Sequence, residues 1–96
     1  MEAVIQRWQR AAERAAEERV RILLIGGHYR ATSSSHTLGS YELEKTPAGW
    51  ACSCRANREY GTPCKHLWAL AEALDLDVLT DTHVTWTPEQ VESEAA

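Results

Sequence analysis

The sequence predicts a small α+β domain: an N-terminal helix, a short antiparallel sheet of about three strands, and a second helix after the sheet. Three observations lead to this prediction. Apolar residues recur at helical spacing near the N-terminus, and β-forming residues alternate with polar ones in the middle of the chain. All three cysteines lie within residues 52–66, beside a histidine. A chain of 96 residues makes one small domain, whose core often depends on a metal or a partner chain.

Residues 2–25 are predicted to form the first helix. Apolar or small side chains follow a three-four spacing from Val4 through Trp8 to Ile22, with Glu and Arg on the opposite face. The Gly26-Gly27 pair is expected to end the helix. Because the apolar stripe is narrow and rich in Ala, two alternatives stay open. The helix packs on its own domain, or it contacts a protein partner or a second copy through Ile5, Trp8, Ala12 and Ala15.

Residues 28–54 are predicted to form three short antiparallel strands. The stretches "HYRAT", "SYELEKT" and "WACSC" are rich in β-forming residues, and the turn-rich "SSSHTLG" separates the first two. The residues "PAG" are suited to a hairpin connection between the second and third strands. The nine residues "RANREYGTP" then read as an exposed polar loop.

The second helix is predicted in "TPCKHLWALAEALDLD", where Leu67, Leu70 and Leu74 lie on one face. Thr62 is expected as its N-cap and Pro63 as its first residue, with a start one or two residues later as the alternative. The last stretch is acidic and irregular, with a capping-box pattern from Thr87 to Gln90. These observations divide the chain into an N-terminal helix at 1–27, a region at 28–76 that contains every cysteine, and an acidic segment at 77–96.

Cys52, Cys54, Cys64 and His66 give the pattern C-x-C, nine residues, C-x-H. Three thiolates and one imidazole are a complete tetrahedral ligand set for Zn²⁺. Since i and i+2 in a strand are too far apart for such a site, Cys54 must leave the strand in a tight bend. Since i and i+2 in a helix point in different directions, Cys64 and His66 must lie at the helix entry. Four good ligands leave no open position, so the pattern predicts one structural zinc ion.

A catalytic interpretation explains the cysteines less well. Cys64 and His66 could act as nucleophile and base, but no orienting residue or oxyanion donor is evident in the sequence. Cys52 and Cys54 would then have no role. We therefore expect no enzyme activity and no small-molecule substrate.

The residues "GWACSC" and "PCKHLWAL" resemble the SWIM zinc finger, a C-x-C…C-x-H motif on a β-β-α scaffold. The likeness covers about residues 28–74, including Trp50 before the first pair and the apolar residues after the second. One difference is Arg55, which stands where the family often has a proline. The resemblance implies a DNA- or protein-interaction module. In such proteins a larger domain usually carries any enzyme activity, so binding is the function expected of this chain.

The charge pattern permits a nucleic-acid partner without establishing one. The net charge is −4, but residues 19–68 carry seven Lys or Arg against three Glu, and residues 69–96 carry seven acidic residues and no basic one. The cations nearest the motif in the sequence form a candidate phosphate-contacting patch. The alternative interpretation is that they are a solvated polar surface that stabilises the thiolates. The patch comprises Arg30, Arg55, Arg58 and Lys65.

The expected setting is intracellular, in the cytoplasm or the nucleoid or nucleus. The N-terminus has no apolar signal region, the longest apolar run is too short to span a bilayer, and an odd number of cysteines does not suit a disulfide framework. We therefore expect no membrane association. The preferred hypothesis is an accessory or regulatory subunit that acts through protein contacts in a DNA-related process, and the alternative is direct DNA binding.

Overall fold

The computed structural model describes residues 2–34 and 36–86. Helix α1 (Glu2–Glu17) is followed by four strands, β1 (Arg21–Ile25), β2 (His28–Ser33), β3 (His36–Thr46) and β4 (Gly49–Cys52). Two helices follow, α2 (Arg55–Tyr60) and α3 (Lys65–Leu74). The strands form one antiparallel sheet in the order β1-β2-β3-β4. The predicted α+β class is confirmed, with four strands where about three were expected.

The predicted first helix is wrong beyond residue 17. Arg19 adopts a positive φ of 52°, and the chain then enters β1. Gly26 and Gly27, expected to end a helix, instead form the two-residue turn that pairs Ile25 with His28, and both have positive φ. Ile22 continues the helical spacing of α1, but the residues "RILLI" also suit a strand. Pairing with β2 decides between the two.

The core lies between the sheet and helices α1 and α3. Trp8 of α1 packs on Trp68 of α3 with ring centroids 6.4 Å apart. Leu67 and Leu70 are fully buried and meet the sheet-side residue Ala31 in the same cluster. The apolar face of α1 therefore covers its own domain, which is the first of the two alternatives for this helix.

Two further differences concern the second half of the chain, and one prediction there is not tested. The predicted loop "RANREYGTP" contains α2, which ends at Gly61 in a left-handed conformation. Helix α3 begins at Lys65 with Cys64 as its N-cap, two residues after the expected cap at Thr62. The capping-box pattern at residues 87–90 lies outside the described residues.

The segment after α3 returns to the sheet. The Trp50 N–H donates to the Asp81 carbonyl at 2.8 Å, and the His83 N–H donates to the Trp50 carbonyl at 2.8 Å. Residues 81–83 therefore cover the outer edge of β4. None of the helices in the described part of the chain is long and apolar enough to cross a bilayer.

Candidate zinc centre

The structure brings Cys52, Cys54, Cys64 and His66 together in one buried cluster. Cys52 is the last residue of β4, and the chain bends at Ser53 so that Cys54 turns back toward it. Cys64 precedes α3, and His66 lies in its first turn. The expected bend after the strand and the expected position at the helix entry are both present.

The distances within the cluster suit a tetrahedral zinc ion. The four ligand atoms all lie within 4.8 Å of one another, and Cys52 Sγ lies 3.5 Å from His66 Nδ1. With zinc bonds of about 2.3 Å to sulfur and 2.0 Å to nitrogen, the edge between these two ligand atoms is about 3.5 Å. The geometry therefore identifies Nδ1 as the histidine ligand atom and leaves the proton on Nε2.

Backbone N–H groups support two of the sulfur ligands. The Cys54 N–H donates to Cys52 Sγ at 3.5 Å, and the Leu67 N–H donates to Cys64 Sγ at 3.4 Å. Hydrogen bonds to sulfur stabilise the thiolate form that a metal requires. The C-x-C bend and the helix N-cap thus supply both ligands and the groups that stabilise their charge.

The three thiols differ in acidity before a metal binds. Hydrogen bonding to Cys54, with a contribution from burial, raises the pKa of Cys52 to about 12. Burial raises the pKa of Cys64 well above its ordinary value, and hydrogen bonding to Cys52 adds to this. Hydrogen bonds from the other two thiols hold the pKa of Cys54 far below its ordinary value. One thiolate is therefore ready for the metal, and two thiols must each release a proton.

Asn57 joins the two halves of the site, a role that the sequence analysis missed. Its side chain accepts from the Cys52 N–H at 2.9 Å and donates to the carbonyls of Thr62 and His83 at 3.1 and 3.0 Å. It is 4% exposed. One amide thus ties β4, the approach to α3 and the C-terminal segment together. A lone Asn in a polar stretch gives no sequence signal for this.

The candidate phosphate-contacting residues do not form one patch. Arg30 donates to Ser40 on the sheet face opposite Ala31, and Arg58 is exposed on α2. Lys65 is largely buried, with its ammonium 2.5 Å from the Glu18 carboxylate. Arg55 is exposed and bonded to Glu59 and Tyr60.

Two of these cations, Arg55 and Lys65, border a cleft of about 250 Å³ between α1 and the cysteine cluster. Arg7, Arg10 and Arg14 of α1 line the other side, and within the described residues no carboxylate is among the lining side chains. We call this the arginine cleft. Cys54, Cys64 and His66 form part of its wall.

The candidate partner contacts on α1 occupy different environments. Trp8 and Ala15 are 3% and 7% exposed, in the core of this domain, whereas Ile5 is 40% exposed. Ala12 is half-buried. Of the four, Ile5 is therefore the residue with most surface available to a partner.

Comparison with known families identifies the site. Residues 43–75 match the family model of the SWIM zinc finger, and they include all four clustered residues. This part of the chain is therefore similar to the SWIM zinc finger, and the Cys₃His cluster is the site of one structural Zn²⁺ ion. Searches of curated proteins and of solved structures found no significant match.

Proposed function

With the similarity to the SWIM zinc finger at residues 43–75 as the premise, we propose that this chain is a non-enzymatic interaction module that binds an anionic partner, foremost the phosphates of nucleic acid, in the arginine cleft. The observation that carries the proposal is the cleft itself. Cations from α1, α2 and the start of α3 converge there on one side of the zinc site. Phosphate groups bind at such concentrations of positive charge.

The cleft keeps a net positive charge after its ion pairs with glutamates and the charge of the zinc site are counted. The zinc ion with three thiolates carries one net negative charge. Glu18 offsets Lys65, and Glu59 offsets Arg55. About two positive charges then remain, and Arg10 makes no ion pair within the described residues. The surface therefore does more than compensate the thiolates.

The size of the cleft agrees with a small anionic group. Its volume of about 250 Å³ is below the range of roughly 300–1,000 Å³ usual for small-molecule pockets. His66 belongs to the wall, but its Nε2 is buried, so the cations are the groups that an anion would contact.

Fluorescence anisotropy with labelled single-stranded and duplex DNA tests this proposal. Arg10→Glu should weaken binding about tenfold at 50 mM salt. It should also reduce the slope of the logarithm of the binding constant against the logarithm of salt concentration by roughly one. Arg58→Glu is the matched control, because it makes the same charge change on exposed α2 outside the cleft, and should stay within about twofold of the unmodified chain. Equal losses in both variants, or no binding to either DNA at low salt, would contradict the proposal.

A second candidate function is protein contact, as an accessory or regulatory subunit in a DNA-related process. The observation that favours it is apolar surface on β1, where Leu23, Leu24 and Ile25 are 41%, 61% and 55% exposed. Three thiol ligands also suit a reducing intracellular compartment, which is the localisation we propose. A pull-down with the unmodified chain and Leu24→Glu tests it, since loss of every specific partner is expected from the variant.

A further inference from the structure

The two edges of the sheet differ in what covers them. Residues 81–83 bond to Trp50 on the outer side of β4. On the outer side of β1, the described residues place no strand or bridge. Among the ways in which proteins protect a sheet edge are Lys, Pro, a bulge or a covering segment. Strand β1, "RILLI", has none of these within the described part of the chain and carries one charge, at Arg21.

The register of the hairpin determines which backbone groups face outward. Ile25 pairs with His28 across a two-residue turn, so these residues exchange backbone hydrogen bonds, as do Leu23 and Arg30. In an antiparallel pair the intervening residues point their N–H and C=O groups the other way. The backbone groups of Ile22 and Leu24 therefore lie on the open edge.

We propose that β1 pairs with β1 of a second copy of this chain, antiparallel and centred on Leu23, to form a continuous eight-stranded sheet. In this register Ile22 lies opposite Leu24 of the second copy, and Leu24 lies opposite Ile22. The outward-facing backbone groups then meet each other and form four hydrogen bonds about the two-fold axis.

The side chains fit the same register. Leu23 meets its symmetry mate, and exposed Leu24 is covered by Ile22 of the second copy. Arg21 lies opposite Ile25, so like charges are not paired. A register centred on any other residue would pair fewer of the five strand residues, and one centred on Arg21 would also place two arginines opposite each other. The strand is thus most complementary to itself when Leu23 lies on the axis.

The contact is small, so the dimer should be weak. Three partly exposed side chains per copy provide less area than the roughly 1,200 Å² buried in stable complexes. We expect a dissociation constant on the order of 10–100 µM. The association should therefore be visible as a rising mean mass when the protein is concentrated.

Disulfide trapping of the zinc-bound full chain tests both the dimer and its register. Leu23→Cys places two thiols in a directly opposed, non-hydrogen-bonded pair, within disulfide range. It should give mostly cross-linked dimer on mild oxidation at 50 µM. Leu24→Cys is the matched control, because its symmetry mate lies two residues along the strand and out of range, and should cross-link at least fivefold less. Leu79→Cys, 48% exposed outside β1, should also cross-link weakly.

Sedimentation velocity from 5 to 500 µM gives an independent result. The unmodified chain should shift toward dimer, Leu24→Glu should raise the dissociation constant at least tenfold, and Leu79→Glu should leave it unchanged. Equal cross-linking of all three cysteine variants would overturn the proposal. A monomer at every concentration would also overturn it. This holds whether hydrogen exchange finds the Ile22 and Leu24 amides open to solvent or protected by another segment of the same chain.

Discussion

At the scale of single residues, Asn57 is the connection on which the geometry of the site depends most. It bonds to one N–H and two carbonyls from three separate segments, and all three bonds are shielded from water or partly so. Asparagine and the longer glutamine are the side chains that combine an acceptor and two donors in one planar amide group. The ligands are placed by strand and helix ends, and Asn57 holds those ends together.

Asn57→Ala should therefore destabilise the zinc-bound protein by about 3 kcal/mol or more, because each backbone group left without its partner costs about 1–3 kcal/mol. Urea unfolding monitored by circular dichroism measures the change. Ser53→Ala is a suitable control: the exposed Ser53 hydroxyl accepts one hydrogen bond, from the Glu42 N–H, and its loss should cost less than about 1 kcal/mol. Similar losses in the two variants would contradict the role given to Asn57.

The acidities of the ligands make zinc affinity depend on pH. The pKa values of Cys52 and Cys64 are raised, so in the folded metal-free site both thiols hold protons at neutral pH. Zinc must displace those protons. Affinity therefore rises with pH and is lost as pH falls, by at least about 100-fold per pH unit for two protons.

Since residues 43–75 are expected to lose their fold when zinc leaves, Cys54 regains a proton as well, because its lowered pKa depends on the folded hydrogen bonds. The slope then rises toward about 1,000-fold per pH unit. Competition with a chelator of known affinity, at several pH values from 6.5 to 8, measures the slope. An affinity that is independent of pH would contradict the assignment of thiolate ligands.

At the scale of secondary-structure elements, α1 has two faces with different tasks. Trp8, Ala11 and Ala15 pack toward the core, while Arg7, Arg10 and Arg14 border the arginine cleft. The spacing of the arginines, i, i+3 and i+7, was visible in the sequence. The sequence does not show that the arginine face of α1 is directed toward the zinc site, because this orientation follows from how α1 packs on α3.

Trp8→Ala should lower the free energy of unfolding by about 3–5 kcal/mol, since the ring is 3% exposed and packs on Trp68. Ile5→Ala, on the same helix but 40% exposed, should cost less than about 1 kcal/mol. Chemical denaturation of both zinc-bound variants gives the comparison. A small loss for Trp8→Ala would mean that this side chain does not belong to the core.

The elements that could be predicted are those determined by local pattern. The C-x-C bend depends on the short reach of zinc–sulfur bonds, and α3 has apolar residues at unambiguous helical spacing. Strand β1 could not be predicted, because Ile22 fits both periodicities and only pairing with β2 decides between them. The arginine cleft was missed for a similar reason, since it joins residues about 40 to 60 positions apart.

At the scale of the whole molecule, the zinc ion connects two parts that bury little apolar surface together. Leu67 and Leu70 are the largest fully buried side chains among the described residues, and the three cysteines form part of the same core cluster. A core of this size supplies only a few kcal/mol. Metal binding therefore contributes folding free energy directly, and the surfaces proposed for binding depend on it.

The most direct test of this account is a titration of the metal-free chain with Zn²⁺, followed by amide NMR spectra. We predict poorly dispersed amide signals for residues 43–75 without metal, and a well-dispersed spectrum that is complete at one equivalent of zinc. A dispersed spectrum before zinc is added, or an endpoint other than one equivalent, would contradict the claim that one closed Cys₃His zinc site holds this fold together.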